Sequence, residues 1–411
     1  MRRRPAPRGA RSATPSSGDG SGSGPTRRAQ SAELSHIVDG VNPKRIALTA
    51  LAAATGAWLT RAAWGVPGQI GASRSRIQPY AGASPTYRDY RFHNSEPSGE
   101  IPAGASAGIA KSFVTRGSVG RPRKPIPLAT PIAPAEAGAL AVTWYGHSSV
   151  LVEVDGYRVL ADPVWSDRVS PSASIGPARL HPIPVALGNL PAVDAIVISH
   201  DHYDHLDKAT VQQLASRQSA PFVVPIGIGA HLRRWRVPED RIVELDWDES
   251  VTLGGLVLTC TEARHFSGRG LVRNPTQWAS WVIAGPERRV FFGGDSGYTP
   301  RFARLGESYG PFDLTLLPVG AYDDRWRDIH MNPEEAVRTH ADLNGGDGTH
   351  GRLVPVHWAT FNLAFHPWSE PIVRLTTAAG QVGTEVSVPV PGQRIDVTRP
   401  ATHSTWWQHL S

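Results

Sequence analysis

The stretch that decides the fold of this chain is DAIVISHDHYDHLD, residues 194–207. Its first half, residues 194–199, is a short apolar run of the kind that forms a buried β-strand. The run leads directly into the hexapeptide HDHYDH at residues 200–205. In a shuffled chain of this composition, the pattern H-x-H-x-D-H would occur on the order of 0.002 times. Coincidence is therefore a poor explanation for it.

The hexapeptide indicates a metal site. Imidazole and carboxylate groups packed this closely would repel one another or lose hydration at a cost unless a cation lay among them. In an extended segment alternate side chains share a face, so we expect His200, His202 and Asp204 to project together while His205 points elsewhere. One loop could then serve two ions, with His200 and His202 on the first and Asp204 and His205 on the second.

Three more residues of ligand type follow apolar runs further along the chain. His265 comes after the run at 256–261, Asp295 follows the run at 289–292 after two glycines, and His357 comes directly after the run at 353–356. An apolar run that ends in such a residue, beside small residues, is typical of a site on the rim of a sheet. A carboxylate such as Asp295 can bridge two ions. The sequence therefore predicts a dinuclear site with seven ligands: His200, His202, Asp204, His205, His265, Asp295 and His357.

The rest of residues 141–400 is typical of a mixed sheet domain. Short β-rich runs alternate with predicted helices at 208–216, 229–235 and 333–341, and Asp155-Gly156 predicts a tight hairpin. Pro333 followed by two acids is a typical helix start. The single cysteine, Cys260, excludes an intrachain disulfide and a thiolate zinc cluster. A bound metal must therefore be held by His and Asp.

The basic charge of the chain belongs to its first 45 residues. These hold nine basic and three acidic residues, a net of +6, which equals the net charge of the whole chain. Residues 1–45 are rich in Pro, Gly, Ser and Arg, so we predict a disordered basic tail. The body is neutral and has no stripe of basic and aromatic residues, which argues against nucleic acid as a partner.

An apolar segment at 46–64 follows the tail, and its placement stays open. It could be a buried or surface-packed helix, a membrane anchor, or a cleaved secretory signal. The localisation is accordingly cytoplasmic or membrane-associated through residues 46–64. A 45-residue region before the segment argues against secretion. Residues 65–140 are rich in Pro, Gly, Ala and Ser with little periodicity, and they predict an extended arm with loops.

Several motifs together resemble one family. They are TWYGHSSVLVEVDG (143–156), ADPVWSDRVSPSASIGPARLHPIP (161–184), LPAVDAIVISHDHYDHLD (190–207), VELDWDE (243–249), FFGGDSGY (291–298), GPFDLTLLPVGAY (310–322), HMNPEEAVRTH (330–340) and PVHWATF (355–361). The body resembles the metallo-β-lactamase fold, and within that fold the N-acylphosphatidylethanolamine phospholipase D-like hydrolases. The resemblance covers about residues 86–396.

This resemblance implies an α/β (α+β) fold, a four-layer αββα sandwich with two Zn²⁺ ions at the edge of the paired sheets. It implies that His200, His202 and His265 bind one zinc, that Asp204, His205 and His357 bind the other, and that Asp295 bridges. Zinc is the default, although these ligands also suit Mn²⁺ or Fe²⁺.

The resemblance also assigns residues around the metals. Asp204 and His330 are assigned to catalysis, with His330 lining the cavity; the alternative is that His330 caps the following helix. His147 and Asp162 could hydrogen-bond ligand histidines, or serve only in turns. His366 could lie near the cavity or be a hydrogen-bonded surface residue. Arg264, Arg269 and Arg273 could meet phosphate oxygens, but a structural role is favoured because arginine is abundant throughout the chain.

The expected activity is hydrolysis of a phosphodiester by a hydroxide that bridges the two metals, and the favoured substrate is a phospholipid. Two alternatives remain at this stage: a lactonase or other carboxylic-ester hydrolase, and a non-catalytic metal-binding scaffold. The expected partners are a phospholipid or small phosphodiester and a membrane surface contacted through the N-terminal region. The sequence leaves a homodimer open.

Overall fold

The computed structural model describes residues 43–98, 108–109, 111–112, 115–401 and 404–410. The predicted disordered tail therefore lies outside the described residues except at 43–45, and so do residues 99–107 of the predicted arm. Residues 61–411 form one compact unit, and the first part of the N-terminal helix belongs to a second unit.

The N-terminal region contains more helix than the sequence predicts. Helix α1 spans Pro43–Ala63, α2 spans Val66–Ile70 and α3 spans Arg74–Ala81, and the hairpin strands β1 (Tyr87–Arg88) and β2 (Arg91–Phe92) follow. The prediction of an extended arm at 65–140 is wrong for this part. Helix α3 forms because it buries Ile77 and Ala81 in a small cluster with Phe92 and Trp278. The helix was not predicted because Pro79 lies inside α3, and proline is unfavourable in the interior of a helix.

The first large sheet has seven strands in the order β15-β3-β4-β5-β6-β7-β8. Strands β3 and β4 form an antiparallel pair, the predicted hairpin at Asp155-Gly156 joins β4 to β5, and β5 to β8 run parallel. Their bounds are β3 Leu140–Gly146, β4 Ser149–Val154, β5 Tyr157–Ala161, β6 Ala195–Val197, β7 Phe222–Pro225, β8 Ile242–Leu245 and β15 Arg394–Asp396.

The second large sheet has six strands in the order β14-β13-β12-β11-β10-β9. Strands β9 to β12 pair antiparallel, and β12, β13 and β14 pair parallel. Their bounds are β9 Ser250–Leu253, β10 Leu256–Thr261, β11 Ser280–Ala284, β12 Arg289–Phe292, β13 Leu314–Pro318 and β14 Arg352–Val356.

Helices cover the outer faces of both sheets. The first sheet packs against α4 (Lys208–Arg217) and α5 (Gly229–Arg234), and the second against α6 (Arg301–Tyr309), α7 (Pro333–Leu343) and α8 (Glu370–Val382). The inner faces of the two sheets share one apolar core. This is the αββα sandwich, so the predicted fold is confirmed.

Two fully buried tryptophans join the core to the rim that carries the site. Trp281 of β11 donates from its indole Nε1 to the carbonyl oxygen of Ile198, 3.0 Å away, just before the hexapeptide. Trp144 of β3 donates from Nε1 to the carbonyl oxygen of His147 at 2.7 Å. Because a buried indole needs a partner for its N–H, these bonds fix the loops as well as the rings.

Helix α7 begins with a complete capping box. The side chain of Asn332 accepts from the backbone N–H of Glu335, and the Glu335 carboxylate accepts from the backbone N–H of Asn332, both at 2.9 Å. The predicted helix start at Pro333 is confirmed, and two free N–H groups of the first turn are satisfied.

Removal of this cap should cost stability. We expect Asn332→Ala to lower the free energy of unfolding by about 1 kcal/mol, since the N–H of Glu335 loses its acceptor. Urea unfolding followed by circular dichroism measures the change. The matched control is Gln213→Ala on the exposed face of α4, which should stay within about 0.5 kcal/mol of the wild type. Equal stability of both variants would contradict the assigned cap.

Candidate metal centre

The candidate ligands lie where strands of both sheets end. His200 follows β6, His265 follows β10, Asp295 follows β12, and His357 follows β14 directly. Because the two sheets face each other across one core, these strand ends meet at one rim of the sandwich. The structure thus brings together the residues that the sequence places after apolar runs.

The hexapeptide is turned and not extended. The backbone N–H groups of His205 and Leu206 both donate to the carbonyl oxygen of His202, at 3.1 and 2.8 Å. The turn carries the His205 ring back to 4.1 Å from the His200 ring, measured between centroids. The expectation that His205 points away from His200 is therefore wrong, because a local turn overrides the alternation of an extended segment.

Asp295 lies at the middle of the cluster. Its Oδ2 is 3.0 Å from Nε2 of His357 and 3.2 Å from Nε2 of His205. The same oxygen is 3.8 Å from Nε2 of His200 and also 3.8 Å from Nε2 of His265. A carboxylate with imidazole nitrogens on both sides has the placement that a bridging ligand requires.

Two groups of potential ligands flank Asp295. In the first, Nδ1 of His202 is 2.9 Å from Nε2 of His200 and 3.4 Å from Nε2 of His265. In the second, Oδ2 of Asp204 is 3.4 Å from Nε2 of His357 and 3.6 Å from Nε2 of His205. Within each group, the atoms lie close enough to hold one ion.

The cluster contains buried polar atoms without partners. Among the described residues, Nε2 of His205, Nε2 of His357 and Oδ1 of Asp295 have no hydrogen-bond partner of suitable geometry. Buried polar groups are nearly always hydrogen-bonded, and the exceptions need an explanation. Cations between the two groups would satisfy these atoms, so the residues fit two divalent metals with nitrogen and oxygen ligands.

The protonation of the histidines agrees with this fit. Burial and neighbouring imidazoles hold the pKa values of His200 and His265 well below the usual range, so both rings are neutral and can act as ligands. Burial alone would lower the pKa of His357, but the charges of Asp295 and Asp204 raise it to about 9. The two carboxylates thus attract a positive charge, which a metal can supply in place of a proton.

Hydrogen bonds from outside the cluster orient the ligand rings. The Nδ1 of His205 donates to Oδ2 of Asp162 at 2.6 Å, and the Nδ1 of His265 donates to the carbonyl oxygen of Ile329 at 2.9 Å. Ser199 donates its hydroxyl to the same Asp162 oxygen at 2.6 Å and accepts from Nδ1 of His200 at 2.9 Å. In each case the hydrogen bond uses Nδ1 of the ring, so that Nε2 faces the cluster and can bind a metal.

His147 joins the second group directly. Its Nε2 donates to Oδ2 of Asp204 at 2.9 Å, while its backbone carbonyl accepts from the N–H of His357 at 3.0 Å. His147, Asp162 and His357 have backbone φ angles of 53°, 40° and 60°. Non-glycine residues rarely adopt such conformations, and they concentrate at functional sites.

His330 connects the cluster to a cavity. Its buried Nδ1 is 3.8 Å from Oδ2 of Asp295 and has no partner among the described residues. Burial lowers the pKa of His330 to about 4, so the ring is neutral at pH 7. Asn332 caps α7, so the alternative of a capping role for His330 is wrong.

A cavity of about 580 Å³ opens beside His330. His366 lines it too, accepts from the N–H of Ala321 at 3.1 Å and stacks on Tyr322 with ring centroids 4.6 Å apart. His366 is thus hydrogen-bonded and also faces the cavity, so the two roles considered for it do not exclude each other.

Sequence patterns missed Ser199, although its position directly before the hexapeptide at a strand end is a usable signal. Three arginines flank His265, and the structural role favoured for them agrees with the partners that each has in the structure. Arg269 is buried and donates to backbone carbonyls, Arg264 contacts Asp328 at 3.0 Å, and Arg273 lies over the ring of Phe266. The arginines flanking His265 thus have structural partners.

Metal analysis tests the centre. We expect about two divalent ions per purified chain, because two ligand groups share Asp295. His202→Ala and Asp295→Ala should each lower the content, and His409→Ala, at an exposed position, should leave it unchanged. Inductively coupled plasma mass spectrometry gives the ratio. Folded variants with the wild-type metal content would overturn the assigned ligands.

The hydrogen bond from Asp162 can be tested separately. Asp162→Asn keeps the shape of the side chain but weakens its hold on Nδ1 of His205, so we expect metal affinity to fall by about 10- to 100-fold. Competition with a chelator measures the affinity. An unchanged affinity would show that Asp162 serves only the turn.

The comparisons with known proteins agree with the geometry. The Beta-lactamase superfamily domain matches residues 157–358, a span that contains all seven candidate ligands. An uncharacterised protein of Mycobacterium tuberculosis is 55% identical over 367 residues, which cover 89% of this chain and 98% of that protein.

Two relatives of the chain are named for an enzymatic activity. The N-acyl-phosphatidylethanolamine-hydrolyzing phospholipase D 1 of Caenorhabditis elegans is 37% identical over 55% of this chain and 65% of its own length. The mitochondrial enzyme of the same kind from Saccharomyces cerevisiae is 31% identical over 58% of this chain and 51% of its own length. With the fold and the histidine and aspartate cluster, these likenesses identify the chain as a metal-dependent hydrolase of the metallo-β-lactamase fold that is similar to the N-acylphosphatidylethanolamine phospholipases D.

Proposed function

We propose that this hydrolase cleaves a phosphodiester bond of a phospholipid at a centre of two zinc ions. The observation that carries the proposal is the position of Asp295 between two ligand groups, with His330 and an open cavity beside it. One zinc would be held by His200, His202 and His265, and the other by Asp204, His205 and His357, with Asp295 shared. The ligand atoms also suit Mn²⁺ or Fe²⁺, so zinc is part of the proposal.

The two ions would lower the pKa of a water molecule and offset negative charge on the phosphoryl oxygens. The protein positions them. Asp204 is held by the imidazole of His147, and His205 is held by Asp162, so the second ligand group has little freedom to rearrange. Rigid outer contacts of this kind keep a metal centre in one geometry.

His330 is suited to act on the substrate. Its ring is neutral, its Nδ1 has no partner among the described residues, and it lines the cavity. A neutral imidazole can donate a hydrogen bond from its N–H to a phosphoryl oxygen or to the oxygen of the departing alcohol. We assign His330 to one of these two contacts.

The cavity beside His330 is polar. Four carboxylates and two guanidinium groups line it: Asp323, Asp324, Glu335, Glu370, Arg327 and Arg374. Charged groups of both signs do not favour an acyl chain, which would need an apolar lining. We therefore propose that this cavity receives the polar portion of the substrate and that the acyl chains lie elsewhere.

The names of the nematode and yeast relatives support an N-acylphosphatidylethanolamine as the substrate. Water would add to phosphorus while the bond from phosphorus to the alcohol oxygen breaks, and the alcohol leaves with a proton. The products would then be phosphatidic acid and an N-acylethanolamine. A lactone or another carboxylic ester is the alternative substrate, since the same centre can attack a carbonyl carbon.

The assay compares both substrate classes on the metal-loaded full chain. We expect turnover of N-acylphosphatidylethanolamine in mixed micelles and none of an acyl-homoserine lactone. His330→Ala should reduce kcat by about 10²- to 10³-fold with unchanged metal content, since it removes a hydrogen-bond donor to the substrate and none of the seven proposed ligands. His409→Ala is the control. Lactone turnover without phosphodiester cleavage would overturn the substrate, and metal binding with no turnover of either would favour a scaffold.

A further inference from the structure

Helix α1 is apolar on all sides and exposed. Residues 46–60 contain no charged residue, and Ile46, Leu48, Leu51 and Leu59 are between 55% and 65% exposed. The helix has no polar face. A core helix would be buried, and a helix lying on a membrane surface would need one polar side. Neither description fits α1.

The dimensions of α1 match a lipid bilayer. Its 21 residues rise about 31 Å at 1.5 Å per residue, and the hydrocarbon core of a bilayer is about 30 Å thick. The uncharged stretch 46–60 supplies about 22 Å of this rise, and the long side chains of Lys44, Arg45 and Arg61 can extend from the ends of α1 to the bilayer interface. Lys44 and Arg45 stand at one end, and Arg61 stands at the other with the exposed Trp58 and Trp64 nearby. Basic residues at both ends and tryptophans at an end, as in α1, are typical of helices that cross a membrane. By length and composition, the helical stretch Lys44–Ala81, which begins within α1, is able to cross a membrane.

The chain after α1 is fastened to the catalytic body through residues 68–72, which we name the strap. The indole Nε1 of Trp235 donates to the carbonyl oxygen of Gly68 at 2.9 Å, and the Arg269 guanidinium donates to the carbonyl oxygen of Gln69 at 2.9 Å. The N–H of Ala72 donates to Nδ1 of His231 at 2.8 Å in a buried bond. Three side chains of the body thus hold one short segment.

Two of these side chains, Arg269 and His231, also contact the metal-binding loop. Arg269 donates from Nη1 to the carbonyl oxygens of Asp201 and Leu206, at 2.6 and 2.7 Å. The Nε2 of His231 is 3.4 Å from Oδ2 of Asp201, which is fully buried. Asp201 is the member of the hexapeptide between the proposed ligands His200 and His202. The strap therefore contacts the body next to the metal centre.

We propose that α1 is inserted in a lipid bilayer and that the strap holds the catalytic body close to the membrane surface. Five residues lead from Ala63 to Gly68, and a fully extended chain of that length reaches at most about 18 Å. The body thus cannot move far from the bilayer while the strap is in place. This inference adds a location to the proposed function and does not depend on which bond is cleaved.

Insertion is tested by binding, without any assay of turnover. The full chain is mixed with vesicles of 70% phosphatidylcholine and 30% phosphatidylglycerol, floated, and washed with 1 M NaCl and then with carbonate at pH 11. We expect the wild type to stay with the lipid through both washes. The double variant Leu51→Glu and Leu59→Glu should bind at least tenfold less, because charge is unfavourable in the hydrocarbon core.

The control carries the same charge change on another helix. Val373 and Val382 of α8 are 46% and 54% exposed, and their double replacement by Glu should bind like the wild type. Release of the wild-type chain by salt alone, or no binding at all, would overturn insertion. So would a mature protein from expressing cells whose first residue lies beyond Ala63, because α1 would then be a cleaved leader.

The strap is tested by hydrogen exchange of the vesicle-bound full chain. The amide of Ala72 should be protected in the wild type, and His231→Phe should speed its exchange about tenfold by removing the acceptor. Trp235→Phe, which removes the bond to Gly68 alone, gives a second variant should the first fail to fold. Exchange of residues 68–72 in the wild type as fast as in an unstructured peptide would overturn the strap.

Discussion

The carboxylate of Asp295 lies among imidazole nitrogens from four histidines that come from three separate parts of the chain. Its Oδ2 is within 3.8 Å of each of them. A buried negative charge in that position requires positive charge nearby, and it requires the strand ends that carry the histidines to meet at one rim. The order of strands in both sheets meets that requirement. The αββα sandwich thus brings strand ends that are distant in sequence together around the Asp295 carboxylate.

The local patterns of the sequence predicted the elements but not the contacts between them. The hexapeptide at 200–205, the strand ends at Asp295 and His357 and the helix start at Pro333 each depend on neighbouring residues, so a single sequence shows them. The bond from Trp281 to Ile198 joins residues 83 positions apart. No local pattern contains such a bond.

The elements that sequence patterns missed share this cause. Helix α3 is stable because Ile77 and Ala81 pack on Trp278, about 200 residues later. The turn at His202–His205 is favoured because it brings the histidines together around Asp295. An isolated segment of the same sequence lacks Asp295 and could remain extended. In both cases tertiary packing determines the local conformation, and the intrinsic conformational preference of the residues indicates it only weakly.

The bond from Trp281 to the carbonyl oxygen of Ile198 crosses from one sheet to the other, two residues before His200. This one hydrogen bond therefore couples the packing of the core to the position of the metal ligands. In such a protein, a substitution in the interior of the second sheet affects the activity as well as the stability of the fold. Laboratory evolution toward a new substrate should accordingly find its tolerated changes around the cavity at His330, where side chains can vary without moving β6 or β11.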